Sequence, residues 1–254
     1  MLKRLGIVGS FLAFFALCGF FVWQVTIASQ PPLEGAEYQK RLEITAANIS
    51  ATFSGSEDSL RIYAVNVVHT PPFKRPFIAY GIYLGNGTVL TAAHVVGRYP
   101  IYSNPRVLIA GQTLSAKVIK EGSPEQTDLA LLSVDQERLP VSLRLRRSPL
   151  CKERLQVGRD VIIVYPERTV RSKIISPLLI APQYRAKNGA LINEPEGSGS
   201  GVFDPERRCL LGIISKEFEK QALRNGNGLT IIEASGFAGY FEPAIGFVPA
   251  AFRF

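Results

Sequence analysis

Histidine is scarce in this chain: there are two among 254 residues, His69 and His94. With three cysteines and no Cys/His pair at ligand spacing, the usual zinc frameworks are excluded, and neither a metal nor another cofactor is expected. His69 reads as an ordinary loop residue. Dense basic blocks are missing as well. The formal charge is +8, yet the nearest approach to a cluster is Arg144, Arg146 and Arg147, so nucleic acid is not an expected partner. No internal repeat or low-complexity tract occurs, and long helical patterns are few. Only one segment is long and apolar, and it lies at the start.

That segment follows Met1-Leu2-Lys3-Arg4. From Leu5 to Ala28 the chain runs 24 residues without a charge, rich in Phe, Leu, Val and Ala. A basic start and an apolar run make an export signal, and the run is also long enough to span a bilayer as a helix, which takes about 20 residues. Two outcomes stay open: cleavage near Thr26-Ile27-Ala28, or retention as a membrane anchor through residues 5–28. Either way the remainder is expected outside the cytoplasm, periplasmic or extracellular. Cys18 follows Leu17, which does not suit a lipid-attachment site. Cys151 and Cys209 remain in the exported part. They could pair in an oxidising compartment or stay as two buried thiols.

Residues 29–59 read as a connector, with Tyr38, Leu42, Thr45 and Ile49 at the spacing of one short amphipathic helix. Beyond it the period changes to two. Leu60–Val68 is β-branched and aromatic, and Ile78, Tyr80, Ile82 and Leu84 alternate with their neighbours. Asn86-Gly87 then separates two apolar runs, a hairpin signal because both turn positions need positive φ. Further strands are expected over 106–110, 114–119, 129–134, 160–165, 170–175, 202–204, 209–215 and 229–232. With 22 glycines and 17 prolines between them, these short strands predict an all-β sandwich or barrels, and the polar, proline-bounded stretch 138–149 could join two halves.

Three motifs carry chemistry. They are Thr91-Ala92-Ala93-His94-Val95-Val96, Thr127-Asp128-Leu129-Ala130-Leu131-Leu132 and Gly197-Ser198-Gly199-Ser200-Gly201-Val202-Phe203-Asp204. A serine hydroxyl attacks a carbonyl efficiently only when a base takes its proton. Histidine does this near neutral pH and can return the proton to the leaving group. A shielded carboxylate fixes the imidazole tautomer and stabilises its cation. Glycines around the serine let the backbone turn sharply and aim N–H groups at a developing oxyanion. The expected catalytic set is therefore His94, Asp128 and Ser198. The order His–Asp–Ser contradicts the Ser–Asp–His order of α/β-hydrolases.

On these residues the chain resembles the trypsin-like, chymotrypsin-fold serine proteases, especially compact bacterial members and the protease domain of the HtrA type. GNGTVLTAAHVV is similar to the histidine segment of that family, DLALL to its aspartate strand, and SGSGVFD with LLGIIS to its nucleophile loop and following strand. VGRDVIIVYP is similar to the first strand of a second barrel. The resemblance implies two six-stranded antiparallel barrels, about 60–138 and 150–250 within a domain of 60–254, cleaving protein or peptide substrates through an acyl-enzyme. The alternative is a catalytically silent relative that binds peptides or a partner.

The family pattern after the nucleophile fits Ser198 at every step, and Ser200 is the alternative nucleophile. The pattern makes the backbone N–H groups of Glu196, Gly197 and Ser198 the oxyanion-hole donors. Glu196 stands where the family usually has glycine, and a side chain there resists the required backbone conformation. Such a hole could form only on substrate binding, or differ in detail. Gly197 replaces the aspartate that receives a freed N-terminus in trypsin, so no trypsin-type zymogen step is expected. The segments 191–194, 215–217 and 235–240 are expected to wall the specificity pocket.

Overall fold

The computed structural model describes residues 35–50, 57–70, 76–97, 105–122, 127–152, 155–176, 189–192, 197–216, 224–225, 228–229 and 238–249. The apolar segment 5–28 and Glu196 lie outside the described residues. Among the described residues no helix is long and apolar enough to cross a membrane. By contacts the chain forms two units, Met1–Tyr38 and Gln39–Phe254, and every described strand belongs to the second.

The first six strands are β1 (Ala64–His69), β2 (Phe77–Gly85), β3 (Thr88–Thr91), β4 (Arg106–Ile109), β5 (Gln112–Glu121) and β6 (Ala130–Val134). They form an antiparallel sheet in the order β1-β2-β3-β6-β5-β4, closed by pairing of β1 with β4. The β2–β3 turn is the expected Asn86-Gly87 hairpin, with φ of 51° and 67°. The next elements are β7 (Asp160–Val164), β8 (Thr169–Ile175), β9 (Gly189–Ile192), β10 (Gly201–Phe203), β11 (Leu210–Lys216), the small hairpin β12 (Arg224–Asn225) with β13 (Gly228–Leu229), and β14 (Ala238–Pro243). Six of these make a second antiparallel sheet, β10-β11-β14-β9-β8-β7, in which β7 returns to pair with β10.

Three apolar clusters explain the pattern of strand sequences. One fills the first barrel with Val67, Tyr83, Val89, Val107, Ala130 and Leu132 among others. Another fills the second with Val161, Ile163, Val202, Leu211 and Phe241. The third lies between the barrels and draws alternate residues from the same strands: Ile82, Leu84, Leu90, Leu129 and Leu131 from one side, Ile162, Val164, Phe203, Leu210 and Ile213 from the other. Strands buried on both faces read as continuous apolar runs, which is why DLALL and DVIIV show no polar alternation.

Several expectations change. Leu60–Tyr63 is not strand but the end of a 3-10 turn, Glu57–Tyr63, and the strand begins at Ala64. Leu60 and Tyr63 both face the cluster between the barrels, and a three-residue repeat puts them on one side. His69 is not in a loop. It ends β1, is 3% exposed, and meets Phe77 edge-on at 5.7 Å. β9 and β14 were not among the expected strands, and the strand expected at 229–232 is described only at Leu229, within a hairpin. The connector helix, α1 (Ala36–Ser50), is fifteen residues long and packs on the barrels rather than standing clear of them. Cys151 and Cys209 form a disulfide, with Cα atoms 5.0 Å apart, so of the two cysteine outcomes the structure has the pair.

Candidate active site

Register in the first barrel brings His94 and Asp128 together. Thr91 at the end of β3 pairs with Ala130 at the start of β6. His94 lies three residues beyond one partner and Asp128 two before the other. His94 sits in a single helical turn, α2 (Ala93–Val96), opened by extended Ala92 and ended by Gly97 at φ 69°. Ala92 and Ala93 are fully buried, so this turn lies flat on the core; larger side chains would lift it away. The Ala93 N–H donates to the Asp128 carbonyl at 3.2 Å.

The Asp128 side chain is 1% exposed. Its Oδ1 accepts from the His94 backbone N–H at 2.9 Å, and its Oδ2 lies 2.6 Å from His94 Nδ1. A third donor, the Ser215 hydroxyl at the end of β11, reaches the same Oδ2 at 2.6 Å. Burying a carboxylate is tolerable when its oxygens are hydrogen-bonded, and here both are. With Nδ1–H donating to Asp128, the His94 Nε2 atom is left as the acceptor, which is the tautomer a general base requires. The His94 side chain is 36% exposed, against 1% for that of Asp128.

Ser198 comes from the second barrel, in the turn before β10. Ser200 N–H donates to the Gly197 carbonyl at 3.1 Å and Gly199 N–H to the Ile214 carbonyl at 2.8 Å. Gly197 and Gly199 have φ of 115° and 93°, a conformation L side chains rarely adopt. Neither position has room for a Cβ. At Gly199 it would land on the Tyr80 carbonyl, and at Gly197 it would come 2.7 Å from the Tyr80 ring and 2.9 Å from that of Tyr165. The turn is tied to the first barrel, because Tyr80 N–H donates to the Ser198 carbonyl at 3.0 Å. Gly199 also packs on Thr91, three residues before His94. The two serines part company here. Ser198 is half-buried, whereas Ser200 is fully buried and its hydroxyl has no hydrogen-bond partner among the described residues. Of the oxyanion-hole candidates, Gly197 and Ser198 are described, and Glu196 is not.

Sequence reasoning placed 215–217 at the specificity pocket and missed the bond from Ser215 to Asp128, and it gave Tyr80 no role beyond its strand. Ser215 ends the apolar run LLGIIS, and a lone hydroxyl closing such a run was the available signal. Elsewhere Cys151, Cys209 and Asp204 place their ligand-type atoms within 4.8 Å of one another. The two sulfurs are bonded together, which leaves that trio one carboxylate, and it already pairs with Arg159 and Arg207.

No curated protein sequence matches the chain. Solved structures do. The active form of the Rv3671c protease from M. tuberculosis is 18% identical with a TM-score of 0.51, covering 73% of this chain and 78% of its own. The inactive form of the Rv3671c protease is 17% identical with a TM-score of 0.51, covering 80% of this chain and 89% of its own. Kallikrein-related peptidase 10 is 17% identical with a TM-score of 0.54, covering 80% of this chain and 99% of its own. At such identity the likeness is one of fold. The family model "Trypsin-like peptidase domain" matches residues 79–213, which is more than half of the sequence and runs from the β2 strand through all three motifs. The chain therefore belongs to the trypsin-like peptidase domain family.

Proposed function

We propose that the chain is a serine endopeptidase that hydrolyses peptide bonds through an acyl-enzyme, with Ser198 as nucleophile, His94 as general base and acid, and Asp128 as the group that orients the imidazole and stabilises its cation. One observation carries the reading: a buried carboxylate held by three donors, one of them the His94 ring. A structural aspartate in a turn has no need of that arrangement.

The steps follow from the atoms. Ser198 Oγ attacks the scissile carbonyl carbon while its proton passes to His94 Nε2. The imidazolium is stabilised by the Asp128 side chain beside Nδ1. The carbonyl oxygen becomes an oxyanion, for which the Ser198 backbone N–H is a candidate donor; one such donor is worth about 2.7–4 kcal/mol of barrier. The C–N bond breaks, His94 delivers its proton to the leaving amine, and the Ser198 ester remains. Water then repeats the sequence: His94 takes its proton, hydroxide adds to the ester, and the proton returns to Ser198 as the acid departs. Protein or peptide is the substrate class.

The site acts outside the cytoplasm, tethered or released. Two features support this: the basic start with its 24-residue uncharged run, and the Cys151–Cys209 disulfide, a bond that persists in oxidising compartments. The test is treatment with a serine-directed fluorophosphonate and mapping of the adduct by mass spectrometry. An adduct on Ser198, absent from His94→Ala, is expected. A well-folded protein that takes no adduct would instead be a silent relative that binds peptides.

A further inference from the structure

Helix α1 does more than connect. It touches both barrels, and two of its contacts, on Tyr80 and on Pro166, lie beside the rings against which the Ser198 turn rests. On the first barrel, Arg41 donates to the Asn66 Oδ1 atom in β1 at 2.8 Å, and Thr45 Oγ1 accepts from the Gly111 N–H at 3.1 Å. Ala46 packs so closely on Gly111 that a Cβ there would come within 2.8 Å of its methyl. On the second barrel, the buried Asn48 side chain donates to the Pro166 carbonyl at 2.7 Å, in the turn between β7 and β8.

Between those anchor points stand two aromatic rings. Tyr80 belongs to the first barrel and Tyr165 to the second, and they meet edge to face with centroids 5.3 Å apart. Gly197 rests against both. The Tyr80 backbone also grips the turn, by its N–H to the Ser198 carbonyl and by its own carbonyl against Gly199. Arg41 lies over the Tyr80 ring, 5.7 Å from its centroid, within cation–π range. The Tyr80 hydroxyl donates to Glu167 Oε1 at 2.9 Å, one residue beyond the carbonyl that Asn48 holds. Burial pushes the Tyr80 phenol up, so the hydroxyl remains a donor across the working pH range.

We propose that helix α1 is an activating clamp: by gripping Tyr80 through Arg41 and the Tyr165–Pro166 turn through Asn48, it holds together the two-ring seat on which Gly197 sets the Ser198 turn. Arg41, Asn48 and Tyr80 are positioning residues for the reaction. The inference rests on the peptidase reading of that turn. It also supplies what that reading lacks. Gly197 carries no carboxylate with which to anchor the turn, and two rings under a glycine with positive φ do the anchoring instead. Small displacements of a nucleophile cost rate steeply, so loosening this seat slows the chemistry without unfolding the barrels.

The experiment uses the full chain, purified in detergent, as wild type, Arg41→Met, Arg41→Lys and a surface control, Arg171→Met. Two quantities are read: the rate of fluorophosphonate labelling at Ser198, and amide hydrogen exchange in the peptide covering 197–203 against that covering 88–91. Arg41→Met is expected to label about tenfold more slowly, with barrels that stay folded and a melting temperature lowered only as far as loss of the Asn66 hydrogen bond lowers it. Its 197–203 peptide exchanges faster while 88–91 does not, Arg41→Lys recovers part of the rate, and Arg171→Met matches wild type. Equal labelling rates for wild type and Arg41→Met would overturn the clamp and leave the peptidase standing. If wild type takes no label at Ser198, the peptidase reading falls, and exchange decides the clamp alone: faster exchange at 197–203 in Arg41→Met sustains it, and unchanged exchange removes it.

Discussion

The two barrels have the same number of strands and are held together differently. The first is closed by the β1–β4 pairing and filled largely by apolar packing, from Val67 and Tyr83 to Leu132. The second adds a disulfide between Cys151 and Cys209 and a buried ion cluster, in which Asp204, 1% exposed, pairs with Arg159 and Arg207 and caps the Glu206 and Arg207 N–H groups. Their shares of the site differ in the same way. The first barrel holds the imidazole and the carboxylate in one frame, fixed by the β3–β6 register. The second presents a turn that depends on its neighbour, resting on Tyr80 and reaching back through Ser215 to Asp128. In the proposed mechanism the His94–Asp128 pair is framed by the first barrel with one donor, Ser215, from the second, while the placing of Ser198 depends on contacts across the interface.

Removing one partner from each barrel tests that division most severely. Ser198→Ala and His94→Ala are each expected to lower labelling or turnover by about a thousandfold or more, and the double variant by no more than either alone, because the two act as a unit. Ser200→Ala should stay within about threefold, since that hydroxyl is buried away from the cleft. A larger loss in Ser200→Ala than in Ser198→Ala would reverse the choice of nucleophile. Next in size is the covalent tie. Cys151 and Cys209 lie 58 residues apart, and closing a loop of that order is worth about 2–4 kcal/mol. Denaturant unfolding of the double Cys→Ser variant should show that loss, with faster hydrogen exchange in the β7 and β11 peptides and little change in β2 and β3. A uniform change would mean that the barrels unfold as one unit.

What could be read from the residues follows the same boundary. His94 and Asp128 were legible because each sits in a short local motif and needs only one strand pairing to meet. The first barrel was legible because its strands are β-branched and its tightest turn is Asn-Gly. In the second barrel β9 is a four-residue GALI and β14 is AGYFEP, with glycines, an acid and a proline and no β-branched residue in β14, so neither stands out from loop sequence. Ser215 and Tyr80 escaped because their roles are tertiary. One is a hydroxyl aimed across the interface, and the other is a strand tyrosine whose ring happens to lie beneath Gly197. Helix α1 was visible by its period, and Thr45 and Ile49 of that stripe do meet the first barrel, but its bonds to Asn66 and Pro166 come from Arg41 and Asn48, polar residues outside the stripe.

Ser215→Ala sharpens the interface side of the comparison. Loss of one of three donors to the Asp128 carboxylate is expected to lower kcat by about tenfold, with a change in melting temperature far smaller than that of the disulfide variant. An effect on stability as large as the effect on rate would make Ser215 a packing residue and weaken the idea that the barrels meet through the carboxylate.

The smallest expected effect belongs to the first barrel and to acid. His69 ends β1, is buried, and has a ring nitrogen, Nδ1, with no hydrogen-bond partner among the described residues. Burial lowers its pKa below the ordinary 6.5, because a charged imidazole there would lose its water without gaining a partner. The unfolded chain therefore binds a proton that the folded chain resists. In that window, below pH 6.5 and above the lowered folded value, stability rises with pH and falls as the solution is acidified. His69→Gln removes the titration. Its unfolding free energy should vary less steeply with pH than that of wild type over this window, by at most one proton, about 1.4 kcal/mol per pH unit. Exchange in the β1 and β2 peptides should report the difference first. Parallel pH profiles for the two proteins would assign the acid sensitivity to groups other than His69.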